Sequence, residues 1–191
     1  QQSCQIVAGN DFKFHAWNRP FILTSELYFK WFTHVIPYDV DNVRIRYYAD
    51  QSAKAYTTGL DFKVNGEFVK GIDSWASLSI MRAREDIRGD YYLVDADGNR
   101  LPFYNHTDDQ VADTVALGWH FRPSNQLINF SLFFQDYIPY APTWRVNMTL
   151  TFGMGLPQSD NNSDFYSNSG RYPAYRRVDI GFSKQLISEA S

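Results

Sequence analysis

Along Phe21-Ile22-Leu23-Thr24-Ser25-Glu26-Leu27-Tyr28-Phe29-Lys30-Trp31 the odd positions read Phe, Leu, Ser, Leu, Phe, Trp, and the even ones from 24 read Thr, Glu, Tyr, Lys. This period-two alternation, interrupted only by Ser25, predicts a strand with one apolar and one polar face. The pattern returns with Tyr56, Leu60, Phe62 and Val64 set against Gly59, Asp61, Lys63 and Asn65. It returns again with Ile128, Phe130, Leu132 and Phe134 against Asn129, Ser131 and Gln135, where Phe133 is the one large apolar residue on the polar side. Trp144, Val146, Met148, Leu150 and Phe152 oppose Arg145, Asn147, Thr149 and Thr151, and Val178, Ile180 and Phe182 oppose Arg177, Asp179, Gly181 and Ser183. The chain therefore reads as all-β and antiparallel, with seven long segments at 5–14, 21–34, 55–65, 73–85, 126–136, 144–153 and 176–187.

A soluble sandwich also alternates. Three features point instead to strands of an antiparallel transmembrane β-barrel segment. The segments run to about ten residues, enough to cross a bilayer at a tilt, whereas sandwich strands average about five or six. Aromatics (Trp31, Tyr56, Trp75, Phe134, Trp144, Phe152) cluster where the apolar faces end, as an interfacial girdle does. Glu26, Lys30, Lys63, Arg145 and Asp179 lie on the polar faces and suit a wet lumen.

The connections alternate as well. Short links fall at 15–20, 66–72 and 137–143, and long ones near 35–54, 86–125 and 154–175, the asymmetry of a barrel with turns on one side and extracellular loops on the other. That reading treats Val43 to Tyr48 and Val111 to Leu117 as hairpins beyond the membrane; counting both as crossings would put long loops on both sides. Seven is odd, whereas single-chain bacterial barrels close with even strand numbers. Residues 1–191 are thus expected to be an arc of a larger barrel.

Composition narrows the class. The chain has no run of about 18 apolar residues, which excludes a helical membrane protein, and a net charge of −3 with 20% charged residues argues against nucleic acid as a partner. Cys4 is the only cysteine, so an intrachain disulfide and a multi-cysteine zinc site are both ruled out; a plain thiol and a lipid-modified cysteine stay open. An aromatic content of 17% coexists with a mean hydropathy of −0.41, as it does when only every second wall residue is apolar.

Six blocks carry a family likeness: Asn18 to Glu26, Asp41 to Tyr48, Gly59-Leu60-Asp61-Phe62-Lys63-Val64-Asn65-Gly66-Glu67-Phe68, Ser74 to Ser79, Asn129-Phe130-Ser131-Leu132-Phe133-Phe134-Gln135-Asp136-Tyr137, and Tyr175-Arg176-Arg177-Val178-Asp179-Ile180-Gly181-Phe182-Ser183. Together they resemble the C-terminal barrel portion of TonB-dependent outer-membrane receptors of the Bacteroidetes type. The resemblance implies a bacterial outer-membrane location, outer-membrane lipid as surroundings and a barrel of about 22 strands closed by a plug. It also implies uptake of an unidentified nutrient driven by a TonB-type energy-coupling complex, with a surface lipoprotein as a further partner. The plug, the coupling box, the first barrel strands and the last few are expected to be missing from this chain, which would then not transport by itself.

Catalytic chemistry finds no motif: a serine nucleophile, a phosphate-cradling loop and a convergent carboxylate pair are all missing, so neither an enzyme nor a cofactor is expected. Glu85-Asp86 and Asp108-Asp109 read as solvated loop charges. His15, His34, His106 and His120 are scattered and read as structural or solvated rather than as metal ligands. Asp95-Ala96-Asp97-Gly98-Asn99 opens like a calcium loop but lacks the later bidentate acid, and Asp-Gly between apolar pairs is a hairpin-turn signal. Arg88-Gly89-Asp90 matches an adhesion tripeptide and Asn105-His106-Thr107 a glycosylation sequon; neither fits the rest of the reading. The ligand-binding candidates are loop aromatics and arginines, Arg44, Arg46, Tyr91, Tyr92, Tyr104, Trp119, Tyr166, Arg171 and Tyr172, with Phe103 and Phe165 beside them. Aromatics stack on rings and arginines grip carboxylates or phosphates, although packing of the aromatics within the loops themselves is the preferred reading of these side chains. Two competing readings remain: a soluble or surface β-sandwich that binds carbohydrate or protein, and a small self-contained outer-membrane barrel.

Overall fold

The computed structural model describes residues 1–41, 44–101, 106–158 and 170–186. In chain order the strands are β1 (Gln2–Ala16), β2 (Arg19–Val35), β3 (Tyr38–Asp41), β4 (Arg44–Tyr47), β5 (Ala53–Val69), β6 (Ile72–Ile87), β7 (Tyr91–Val94), β8 (Asp113–Ala116), β9 (His120–Phe121), β10 (Ile128–Ile138), β11 (Ala141–Gly153), β12 (Pro157–Gln158), β13 (Gly170–Arg171) and β14 (Tyr175–Lys184). Among the described residues the only helical piece is the 3₁₀ turn Asp108–Gln110.

Seven long strands form one antiparallel sheet in the order β1-β2-β5-β6-β10-β11-β14. They match the seven long segments expected from the sequence. Most run a few residues longer, up to 17 in β2 and β5. Two-residue turns join β1 to β2 (Trp17, Asn18), β5 to β6 (Lys70, Gly71) and β10 to β11 (Pro139, Tyr140). Trp17 and Asn18 are both left-handed, the geometry whose twist suits a two-residue hairpin. The other three connections are long, and in an antiparallel sheet they necessarily emerge at the opposite end. There Arg44 to Tyr47 and Asp113 to Ala116 belong to separate hairpins, β3–β4 and β7–β8, so neither adds a strand to the main sheet.

Register sorts the side chains cleanly, because residues directly opposite on neighbouring strands share a face. One row reads Phe12, Leu23, Val64, Ala76, Leu132, Leu150, Val178, and another reads Ala8, Leu27, Leu60, Ile80, Ile128. The opposite face carries Asp11, Thr24, Lys63, Ser77, Ser131, Thr151 and Arg177 in one row. The apolar face is uncovered: Ile6 is 68% exposed, Leu27 53%, Ile180 64% and Phe182 66%. No second large sheet lies against it among the described residues. Buried apolar side chains sit instead at the two ends, with Phe21 and Ile72 at the turns and Val35, Ala53, Ala55, Ala83, Ile87 and Val94 at the loops.

Aromatics gather at both ends of the apolar face. Phe21 packs against Phe14, Trp17 and Phe68 at the turn end, and Trp119 packs on Trp31 and Tyr56 at the loop end. Trp75 departs from the sequence reading. It stands opposite Asn65 and Phe133 on the polar face, stacked on Phe133 at 6.3 Å beneath the Lys63 ammonium. The pairing accounts for Phe133 too, since each ring shields the other on a polar surface.

Candidate functional site

At the loop end β6 outruns β10, which begins only at Ile128. The exposed flank of β6 is filled by the segment before β10. His120 and Phe121 pair with Glu85 and Arg84 as β9, the Arg122 amide donates to the Ala83 carbonyl at 3.2 Å, and the fully buried Asn125 accepts from the Ala83 amide through Oδ1 at 2.7 Å. The Met81 amide donates to the Leu127 carbonyl. A buried edge must satisfy its backbone groups, and here a side-chain amide completes the ladder.

This segment assembles a polar cluster on the sheet's polar side. Arg122 Nε donates to Glu85 Oε2 at 3.1 Å, with Glu85 only 1% exposed, and the Arg122 guanidinium lies over the Tyr38 ring of β3. His120 lies 3.9 Å from both Glu85 and Asp90, with Nδ1 3.1 Å from the Gly118 carbonyl. Burial holds the His120 imidazole below its ordinary 6.5, opposed by that hydrogen bond. Burial, with the like charge of Asp86 second, raises Asp90 from 3.8 to about 6. The solvated-charge reading of Glu85 is therefore corrected: β6 continues past the apolar band, so Glu85 sits inside the ladder under Arg122. Asp108 and Asp109 are exposed, as read.

On the other face of β9, Phe121 collects three guanidinium groups: Arg84 at 5.0 Å from the ring centroid, Arg171 at 5.3 Å and Arg82 at 5.8 Å. Arg171 is fixed by donating to the carbonyls of Asn125 (3.0 Å) and Gly155 (2.9 Å).

The sequence candidates scatter over this end. Arg171 on β13 belongs to the cluster, and Trp119 adjoins it through Trp31 and Tyr56. Arg44 and Arg46 lie on β4, Arg46 opposite Asp39, while Tyr91 and Tyr92 lie on β7, in a different hairpin, with Arg100 over Tyr92 at 4.5 Å. Tyr172 follows β13 and is 40% exposed. Tyr104 and Tyr166, with Phe103 and Phe165, fall outside the described residues. Sequence reasoning missed Arg82, Arg84, Phe121 and Arg122. The available signal was charge entering the apolar register of β6 immediately after Ile80.

Asp95 forms a turn. It accepts from the amides of Asp97 and Asn99 and from Asn99 Nδ2, so turn donors take up its oxygens. No group of three or more metal-ligating side chains occurs among the described residues. Below the loops, the polar face sets Glu26 directly opposite Asp61, flanked by Lys30 and Lys63, around open hollows of about 250 and 360 Å³. Compared with protein-family models, curated proteins and solved structures, the chain matches none at a significant level.

Proposed function

We propose that this chain is a wall segment of a bacterial outer-membrane TonB-dependent receptor, part of a larger barrel that takes up a nutrient. The observation that carries the reading is the uncovered apolar face of a sheet whose other face is polar. Water-soluble monomers seldom leave an apolar patch larger than a few hundred Å² in contact with water, and this face crosses seven strands.

Its height suits a bilayer. From Phe21 to Trp31 the apolar face of β2 covers ten residue steps, about 33 Å; at a tilt of about 40° this projects to about 25 Å, the height of an outer-membrane apolar band. Aromatics at both ends supply the girdles. The placement of every long connection at one end supports an extracellular side bearing ligand-capturing loops, and the Glu26–Asp61 face supports a hydrated lumen. Among the described residues β1 and β14 each have one strand partner, and further strands would continue the wall from those edges. The nutrient passes along the polar face without covalent chemistry. Gating and energy coupling belong to a plug and to the coupling complex that the family resemblance implies.

Spin labels placed singly from 146 to 151 on β11, with the protein in phospholipid bilayers, test this. Even positions should be accessible to oxygen dissolved in lipid, and odd positions to an aqueous nickel chelate. Equal aqueous access at both sets, or a monodisperse protein in detergent-free buffer, would overturn the proposal in favour of a soluble β-domain.

A further inference from the structure

The three arginines around Phe121 lack the acidic partners that normally accompany such a group. Among the described residues no carboxylate lies within 4 Å of Arg82, Arg84 or Arg171; the neighbouring acids Glu85 and Asp90 face Arg122 and His120 instead. The nearest acid in register is Asp86, two residues beyond Arg84 and opposite Lys54. Arg84 Nε is buried without a hydrogen-bond partner, which leaves the guanidinium under-satisfied and favours a strong acceptor at its accessible nitrogens. Three cations within 6 Å of one ring centre gain from the aromatic face but repel one another at distances where salt screens little.

Position identifies the anion. Arg84 stands in the row Trp31, Tyr56, Arg84, Phe121, and Arg82 stands one row lower beside Phe29 and Thr58. The next row, Leu27, Leu60, Ile80, Ile128, opens the apolar band. Trp and Tyr at such a boundary mark headgroup depth. Arg82 and Arg84, two residues apart on one face, are about 7 Å apart along the strand, close enough for both forks to reach one phosphate.

We infer that Arg82, Arg84 and Arg171, gathered on Phe121, bind the phosphate of an anionic lipid headgroup in the leaflet at the loop end. The inference rests on the membrane reading above. Its test uses the protein in nanodiscs of mixed phosphatidylcholine and phosphatidylglycerol, with protease protection reporting insertion and native mass spectrometry reporting retained lipid. Phosphatidylglycerol should be retained preferentially. Arg82→Gln and Arg84→Gln should each lower that retention roughly fivefold, Arg82→Lys should keep most of it, and Arg145→Gln on the polar face should leave it unchanged. An inserted protein without preference, or with preference unaltered by both glutamines, overturns the site while leaving the membrane reading intact. Failure to insert overturns both. Displacement of the lipid by glycerol 3-phosphate at equal concentration would assign the arginines to a soluble phosphate and overturn the lipid assignment.

Discussion

Arg122 and Glu85 form a buried ion pair, Nε to Oε2 at 3.1 Å, that ties the longest connection to the end of β6. Removing one member of such a pair strands the other charge, which costs about 3–5 kcal/mol, whereas replacing both with apolar residues of similar volume is close to neutral. Arg122→Ala is therefore expected to destabilise the loop end by about 3 kcal/mol, and the double variant Glu85→Leu/Arg122→Met to recover most of the loss. Hydrogen exchange at the amides of Met81, Ala83 and Arg122, which bond across this junction, reports the effect locally. A double variant as unstable as Arg122→Ala would mean that the pair does more than neutralise charge.

Asp90 adds to the same region a pH-dependent contribution of defined sign, opposed by His120, whose lowered pKa favours the folded state as pH rises. Its pKa in the folded protein is about 6 against an ordinary 3.8, so between those values the folded state holds a proton that the unfolded state has released. Folded-state stability from this group is thus fully present below about pH 4 and is lost as pH rises through about 6. Protection of the Asp90 amide, which donates to the Ile87 carbonyl, should fall across that window. Asp90→Asn should flatten the curve and leave the turn more protected than the native protein at pH 7.

Gly59 makes room for Tyr28. The two are paired across β2 and β5, and a Cβ on residue 59 would overlap the Tyr28 ring and lie 2.8 Å from the Ile80 carbonyl oxygen. A side chain can swing away, but the β6 backbone is fixed by its ladder. Gly59→Ala should cost about 1–3 kcal/mol through overpacking. Adding Tyr28→Ala should relieve only the part due to the ring, and chemical unfolding of the two single variants and the double isolates that part.

The alternation was legible because it records which face is apolar, and it marked five of the seven long strands, β2, β5, β10, β11 and β14, while β1 and β6 were placed as segments without it. It stopped short of their ends, since Gln2 to Cys4, Ala53 to Lys54 and Phe68 to Val69 lie where the ladder continues without a one-sided apolar face. Of the loop candidates, Arg171 joined a structured cluster. Glu85 was misread because an acid beside another acid looks solvated until the strand it ends, and the arginine 37 positions later, are placed together. Arg82 and Arg84 were legible only as a break in the pattern; their convergence on Phe121 depends on β9 taking the place of β10, and that follows from the unequal lengths of β6 and β10 rather than from any motif.

The asymmetry between the faces predicts opposite outcomes for neighbouring residues of β11. Leu150 lies mid-band between Leu132 and Val178, and Thr149 faces the other way between Phe133 and Asp179. On the membrane reading proposed above, an arginine on the lipid side near the midplane costs about 2–4 kcal/mol, while one on the lumen side is tolerated. Thr149→Arg also gains Asp179 as a cross-strand counter-charge, worth about 0.2–1 kcal/mol. Guanidinium titrations of folding into phospholipid vesicles should therefore separate Leu150→Arg from Thr149→Arg by at least about 2 kcal/mol. The gap should narrow for Phe182→Arg, nearer the turn end beside Lys184, because the cost of a lipid-facing cation falls towards the interface. A penalty that did not depend on position along the strand would point to burial against protein, since lipid alone imposes the depth gradient.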